Sequence, residues 1–196
     1  MVICGKVVNY KGNTPETVQN KAYLYSLNGS TEVTEGGDDP VPGSDPTPEV
    51  TGDVSKLVSG STLTLTYTKA TASTETIAVD FNEQGWSNAA DPTTVTLTDG
   101  TTIEFGKGEN TSNAPKFYDA TKGVRLYAKN VMVVTGSKAI ASLLLECDSY
   151  NGTDYVGNSM LYGSVSGNIF TVVNDHTEAK GGVQLRVKKL TITYAQ

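Results

Sequence analysis

The sequence predicts an all-β chain whose larger part is a β-sandwich. Its polarity comes from Thr, Ser, Asn and 20 glycines, while charged residues supply only 18%. Short Thr-rich strands joined by Gly and Asn turns have that composition, and long charged helices do not. Apolar residues recur at every second position in short runs, the period of a half-buried strand. Turn dipeptides break those runs at the short intervals typical of sandwiches and barrels.

The elements follow in order. Residues 1 to 30 hold two strand-like runs, Val2 to Tyr10 and Ala22 to Leu27, joined by the turn-rich Lys11-Gly12-Asn13-Thr14-Pro15-Glu16. Met1-Val2-Ile3-Cys4-Gly5 lacks the charged start and apolar core of a lipoprotein signal, and it reads as strand. Two strands alone are marginal in water, so this piece needs a partner. Residues 31 to 53 read as a linker holding Pro40, Pro42, Pro46 and Pro48, four of the seven prolines. With almost nothing apolar to bury, ordering them would cost entropy without return, and the prolines keep them semi-extended.

Residues 54 to 196 read as the sandwich, in about nine or ten strands. Thr62 to Thr68 alternates Leu63, Leu65 and Tyr67 against Thr, and Ile77, Val79 and Phe81 alternate again. Val95-Leu97 and Ile103-Phe105 flank Asp99-Gly100, read as a two-residue hairpin loop. Runs follow at Val124 to Tyr127, Val131 to Val134 and Ile140 to Cys147. Leu143-Leu144-Leu145 fits either a central strand or a short helical turn. Met160 to Val165 and Ile169 to Val173 surround a second hairpin at Ser166-Gly167-Asn168. In the last strand, Val183 to Tyr194, the apolar parity slips at Lys188-Lys189, which predicts a bulge that keeps the apolar face inward.

Two resemblances add to this reading. Gly5-Lys6-Val7-Val8-Asn9-Tyr10-Lys11-Gly12-Asn13-Thr14-Pro15-Glu16, with Tyr23-Leu24-Tyr25-Ser26-Leu27-Asn28-Gly29, resembles the end of an OB-fold-like domain from secreted proteins of Gram-negative gut anaerobes. That implies a β-hairpin remnant of a barrel whose first strands are missing, in a fragment of a longer protein. Asp80-Phe81-Asn82-Glu83-Gln84-Gly85-Trp86-Ser87-Asn88-Ala89, Gly106-Lys107-Gly108, Asn113-Ala114-Pro115-Lys116-Phe117-Tyr118, Val124-Arg125-Leu126-Tyr127 and Leu190-Thr191-Ile192-Thr193-Tyr194 look like a β-sandwich module of the same surface proteins. That module resembles jelly-roll carbohydrate-binding domains. It implies a jelly-roll-like sandwich, secreted or on the bacterial cell surface.

Charge narrows the partners. At a net −6 with scattered Lys and Arg, the chain cannot neutralise phosphates at scale, so nucleic acid is not expected. No run of about 18 apolar residues exists to span a bilayer. Cys4 and Cys147 read as separate strand thiols rather than a redox pair or a zinc pattern. No catalytic signature emerges, and the expectation is that the chain is not an enzyme. Gly163-Ser164-Val165-Ser166-Gly167 has Val where a nucleophile elbow needs Ser. The single His176 lies in a polar turn, and Glu146 and Asp148 flank Cys147 as ordinary surface acids. No cofactor is expected. Asp80, Asn82, Gln84, Gly85 and Asp91 match five places of a calcium loop, but Gln at the fifth place and Asp at the twelfth fit it poorly. A structural Ca²⁺ at Asp80 is the one metal to look for.

Sugar binding needs aromatic platforms beside planar polar groups. Trp86, Asn88, Tyr118, Arg125 and Tyr127 are the candidate ligand residues, with Trp86 foremost because it follows Gly85 at a strand exit. The structural alternative has Trp86 covering a sheet edge while Tyr118 and Tyr127 plug one end. The expected role is a monomeric, non-catalytic binding module for polysaccharide or surface glycan. The alternative is a spacer or protein–protein adhesion domain with no small ligand.

Overall fold

The computed structural model describes residues 53–175 and 184–196 in full, and 2–10, 14–26 and 49–51 as backbone. His176, Val183, residues 11–13 and most of the proline-rich stretch (27–48) lie outside the described residues. Two compact units divide the chain, Met1–Ser44 and Asp45–Gln196. In the first, β1 (Val2–Tyr10) pairs antiparallel with β2 (Thr14–Ser26). Thr14, Pro15 and Glu16, expected in the turn, belong to this ladder opposite Tyr10, Asn9 and Val8. In a two-stranded ladder each strand is an edge, where proline's missing N–H is tolerated.

The second unit is an antiparallel β-sandwich. Its larger sheet runs β3 (Glu49–Thr51), β4 (Val54–Ser59), β5 (Thr62–Tyr67), β12 (Ile140–Cys147), β17 (Leu185–Ala195), β10 (Gly123–Leu126) and β9 (Lys116–Tyr118), with β6 (Ala72–Asp80) also on β17. The smaller sheet runs β15 (Leu161–Ser166), β16 (Ile169–Asn174), β11 (Val131–Thr135), β8 (Thr102–Gly106) and β7 (Val95–Thr96). A short hairpin, β13 (Ser149–Tyr150) with β14 (Thr153–Asp154), stands apart. The sandwich begins earlier than expected: β3 lies inside the stretch read as linker, because Glu49, Val50 and Thr51 pair with Lys56, Ser55 and Val54.

Alternation decides which faces meet. Leu63, Leu65, Leu143, Leu145, Leu190 and Ile192 of the larger sheet are fully buried, as are Ile103, Met132, Val134, Phe170 and Val172 of the smaller one. Each such side chain contributes roughly 1.5–3 kcal/mol. Leu143-Leu144-Leu145 is strand: the central strand β12 buries Leu143 and Leu145 and turns Leu144 outward. The second hairpin has a two-residue loop, Gly167-Asn168, because Ser166, expected in the connection, pairs with Ile169 in the ladder. The Asp99-Gly100 loop is longer. Leu97 N donates to Thr101 O (2.8 Å) and Gly100 N to Leu97 O (3.0 Å), so three residues turn the chain and Gly100 takes the left-handed position (φ 87°).

The bulge at Lys188-Lys189 is present and has a structural cause. Glu146 of β12 lies opposite Lys189, but Cys147 lies opposite Val187, so Lys188 is the extra residue. On its other side β17 changes neighbours at the same place. Leu185 to Val187 pair with β10, and Lys189 onward pairs with β6. Gly123 makes the β10 junction possible, because a Cβ there would sit 2.2 Å from Val187 O.

A polar pin closes the far end of β17. Tyr194, 1% exposed, places its hydroxyl 2.5 Å from Thr101 Oγ1 and also bonds Asp99, which accepts from Ser137 Oγ at 3.1 Å. Burial works against the Asp99 carboxylate, but hydrogen bonds from Tyr194, Thr101 and Ser137 outweigh it and hold the carboxyl below its ordinary range.

Candidate functional site

The predicted ligand residues separate into two groups on either side of β9. Asp80 caps a single 3-10 turn, Phe81–Gln84, by accepting from Asn82 N at 2.9 Å, and the chain then delivers Trp86 inward. Trp86 lies parallel to Phe81 (centroids 6.3 Å, 15°) and edge-on to Phe105 (6.3 Å) and Phe117 (5.8 Å). Its indole N–H donates to Thr93 Oγ1 at 3.1 Å. Three phenylalanines and a hydroxyl occupy the indole, so it packs as the half-buried lid of the core edge. Asn88 belongs with this group. Its side-chain oxygen accepts from Asp119 N (3.1 Å), and Ala89 N donates to Phe117 O, clamping the loop against β9.

Tyr118, Arg125 and Tyr127 are brought together on the outer face. The Tyr118 and Tyr127 hydroxyls are 3.2 Å apart, and the Arg125 guanidinium lies 4.2 Å above the Tyr118 ring. Arg125 Nε donates to Thr121 Oγ1 at 2.7 Å, which fixes the plane of the fork. Burial, and then the hydrogen bond with Tyr118, push the Tyr127 phenol up to about 12, against the opposing pull of Arg125 and Arg186. Tyr127 therefore keeps its proton at neutral pH. One of the two hydroxyls donates to the other, leaving one O–H donor for a ligand.

Arg186, Tyr155 and Asp148 complete the cluster. The Arg186 guanidinium stacks 3.4 Å over the Tyr155 ring, donates from Nη1 to Asp148 Oδ2 (3.0 Å) and from Nε to Gln184 Oε1 (2.9 Å). The chain has only two arginines, and they stand directly opposite one another where β10 meets β17. Lys116 of β9 is opposite Arg125 on the other side, so one row carries Lys116, Arg125 and Arg186 across three strands. Lys116 pairs with Asp91 (2.7 Å) and Arg186 with Asp148. Among the described residues, Arg125 has no carboxylate partner.

The other sequence candidates stay apart. The second Asp80 oxygen pairs with Lys189 (3.3 Å), and Asp91 is held by Lys116. The two Asp80 oxygens are thus engaged by a cap and by an ion pair. Among the described residues no three His, Cys, Asp or Glu side chains converge on one point. Gly163 to Gly167 is the end of β15 and its hairpin, with Gly163 packed on Phe170 and Val54. Cys147 is a free thiol that burial pushes up to about 12, so it is poorly nucleophilic. An open groove of about 310 Å³ lies on the smaller sheet over Glu104, Gly106, Val131 and Val133, walled by Pro92 and Thr94.

Sequence reasoning missed Tyr155 and Arg186, and it read as an ordinary surface acid Asp148, whose side chain is largely buried against Arg186. One local signal was available for Tyr155. Asn151-Gly152, both at positive φ (51° and 76°), form the two-residue turn between Tyr150 and Thr153, and this hairpin presents Tyr155 to β17. Arg186 carried no local signal, because its pairing with Arg125 spans 61 positions and depends on register. Comparisons with protein families, with curated proteins and with solved structures found no match.

Proposed function

We propose that the sandwich is a non-catalytic carbohydrate-binding module of a secreted or cell-surface protein. The observation that supports this most is the outer cluster. Tyr118, Arg125 and Tyr127 converge beside the Arg186–Tyr155 stack, pairing aromatic surface with planar donors that suit sugar hydroxyls. Trp86 is not part of this ligand surface; its role is to seal the core edge. A glycan and polysaccharide array tests the reading with the native chain beside Tyr118→Ala. Binding that is lost in this variant, with its fold intact by circular dichroism, supports the module. A second reading, a spacer or adhesion domain without a small ligand, draws on the engagement of Trp86 by three phenylalanines. Silence of the folded native protein across the array favours that second reading.

A further inference from the structure

We propose that the ligand of the outer cluster is an acidic sugar, and that Arg125 binds its carboxylate. The inference rests on the carbohydrate reading and adds the chemical class of the glycan. Three cations stand side by side across β9, β10 and β17, and like charges directly opposite one another destabilise a sheet. The two flanking cations each have a carboxylate, Asp91 for Lys116 and Asp148 for Arg186. Among the described residues the central one, Arg125, has none. A row of three cations and two carboxylates lacks one anion, and the gap falls at the residue most closely held for binding.

Arg125 is held in two ways: Thr121 Oγ1 takes its Nε, and the Tyr118 ring supports its plane. Its two terminal nitrogens remain, an end-on pair that matches the two oxygens of a carboxylate. Little side-chain freedom is left to lose on binding. The spare O–H of the Tyr118–Tyr127 pair lies on the same face, placed for a ring hydroxyl of the sugar. Arg186 is less suited, because Asp148 balances its charge and, with Gln184, takes two of its five donors.

The test measures affinity of the full chain for polygalacturonate, alginate and hyaluronate. Methyl-esterified polygalacturonate, dextran sulfate and a set of neutral polysaccharides are run in parallel. The expected result is binding to at least one polyuronate and sharp weakening by methyl esterification. Arg125→Ala should reduce affinity roughly 10- to 100-fold, the range for a charged hydrogen-bonded pair. Arg125→Lys, which keeps the charge and loses the fork, should fall between the two. A thermal melt confirms that each variant is folded, and Lys69→Ala, on an exposed pair with Asp53, controls for general charge loss.

Neutral polysaccharides bound equally well by the native chain and by Arg125→Ala would overturn the acidic-sugar proposal and leave the carbohydrate module standing. Dextran sulfate bound as tightly as the polyuronates, with no effect of Arg125→Ala, would also overturn it. A folded protein that binds no glycan, acidic or neutral, would remove both readings.

Discussion

Phe117 and Tyr118 are neighbours in the chain and belong to different structures. Phe117 is 3% exposed and joins Phe81, Phe105 and Trp86 at the core edge. Tyr118 points the other way and supports Arg125 on the outer face. One strand of three residues thus separates an aromatic cluster that holds the sandwich together from one with donors to spare. Aromatic content near loops therefore does not locate a ligand surface. What separates the two is the partner of each ring: phenylalanines around the indole, guanidinium groups around the tyrosines.

The apolar cluster should carry far more of the stability than the outer one. Phe81→Ala should cost about 3–5 kcal/mol, since the side chain is fully buried, whereas Tyr118→Ala on the outer face should cost about 1 kcal/mol or less. Urea unfolding followed by circular dichroism measures both. Equal losses would mean that the outer cluster is as structural as the inner one.

Gly123→Ala should come next, at about 1–3 kcal/mol. The new Cβ would press on Val187 O at 2.2 Å and spread β10 from β17, which also separates Arg125 from Arg186. The same unfolding experiment reads it, and glycan affinity should fall with it while the Trp86 emission stays native.

A smaller effect is expected at high pH. The Tyr127 phenol is raised in the fold from 10.0 to about 12, so the unfolded chain loses that proton first. Its contribution to stability is fully present below pH 10 and is lost as pH rises towards about 12. In Tyr127→Phe the fall in urea midpoint between pH 9 and 11.5 should be shallower than in the native chain. An unchanged slope would place the phenol in solvent.

The smallest change is expected from Arg125→Ala. Removing the middle cation of the row relieves like-charge repulsion and costs one stacked contact and the hydrogen bond to Thr121, so the melting temperature should move by about 4 °C or less in either direction. A large drop would make Arg125 a structural residue and weaken the distinction between the two clusters.

The fold was legible wherever the signal was local. Alternation in Thr62 to Thr68 marked a strand and its buried face, and Gly167-Asn168 marked a hairpin. The parity slip at Lys188-Lys189 marked a bulge that the β12 pairing shows. The Asp99 loop was read one residue short, because Asp-Gly fits a two-residue turn and a three-residue one alike, and the Leu97–Thr101 pairing chooses. Of the five candidate ligand residues, three converge and two do not. Trp86 drew attention as the only tryptophan beside a glycine, features that a core lid and a sugar platform share.

By itself, then, the sequence determined the all-β class, most strand positions and the inward face of each. Those follow from a two-residue period and turn chemistry that act over a few positions. Tertiary structure alone decided which strands are neighbours, that β17 exchanges β10 for β6 at its bulge, and that the two arginines meet. Register across a sheet sums weak preferences over many strands, and a slip of one residue would turn Arg125 inward and Val124 out. The site depends on that register, and no stretch of the chain carries it alone.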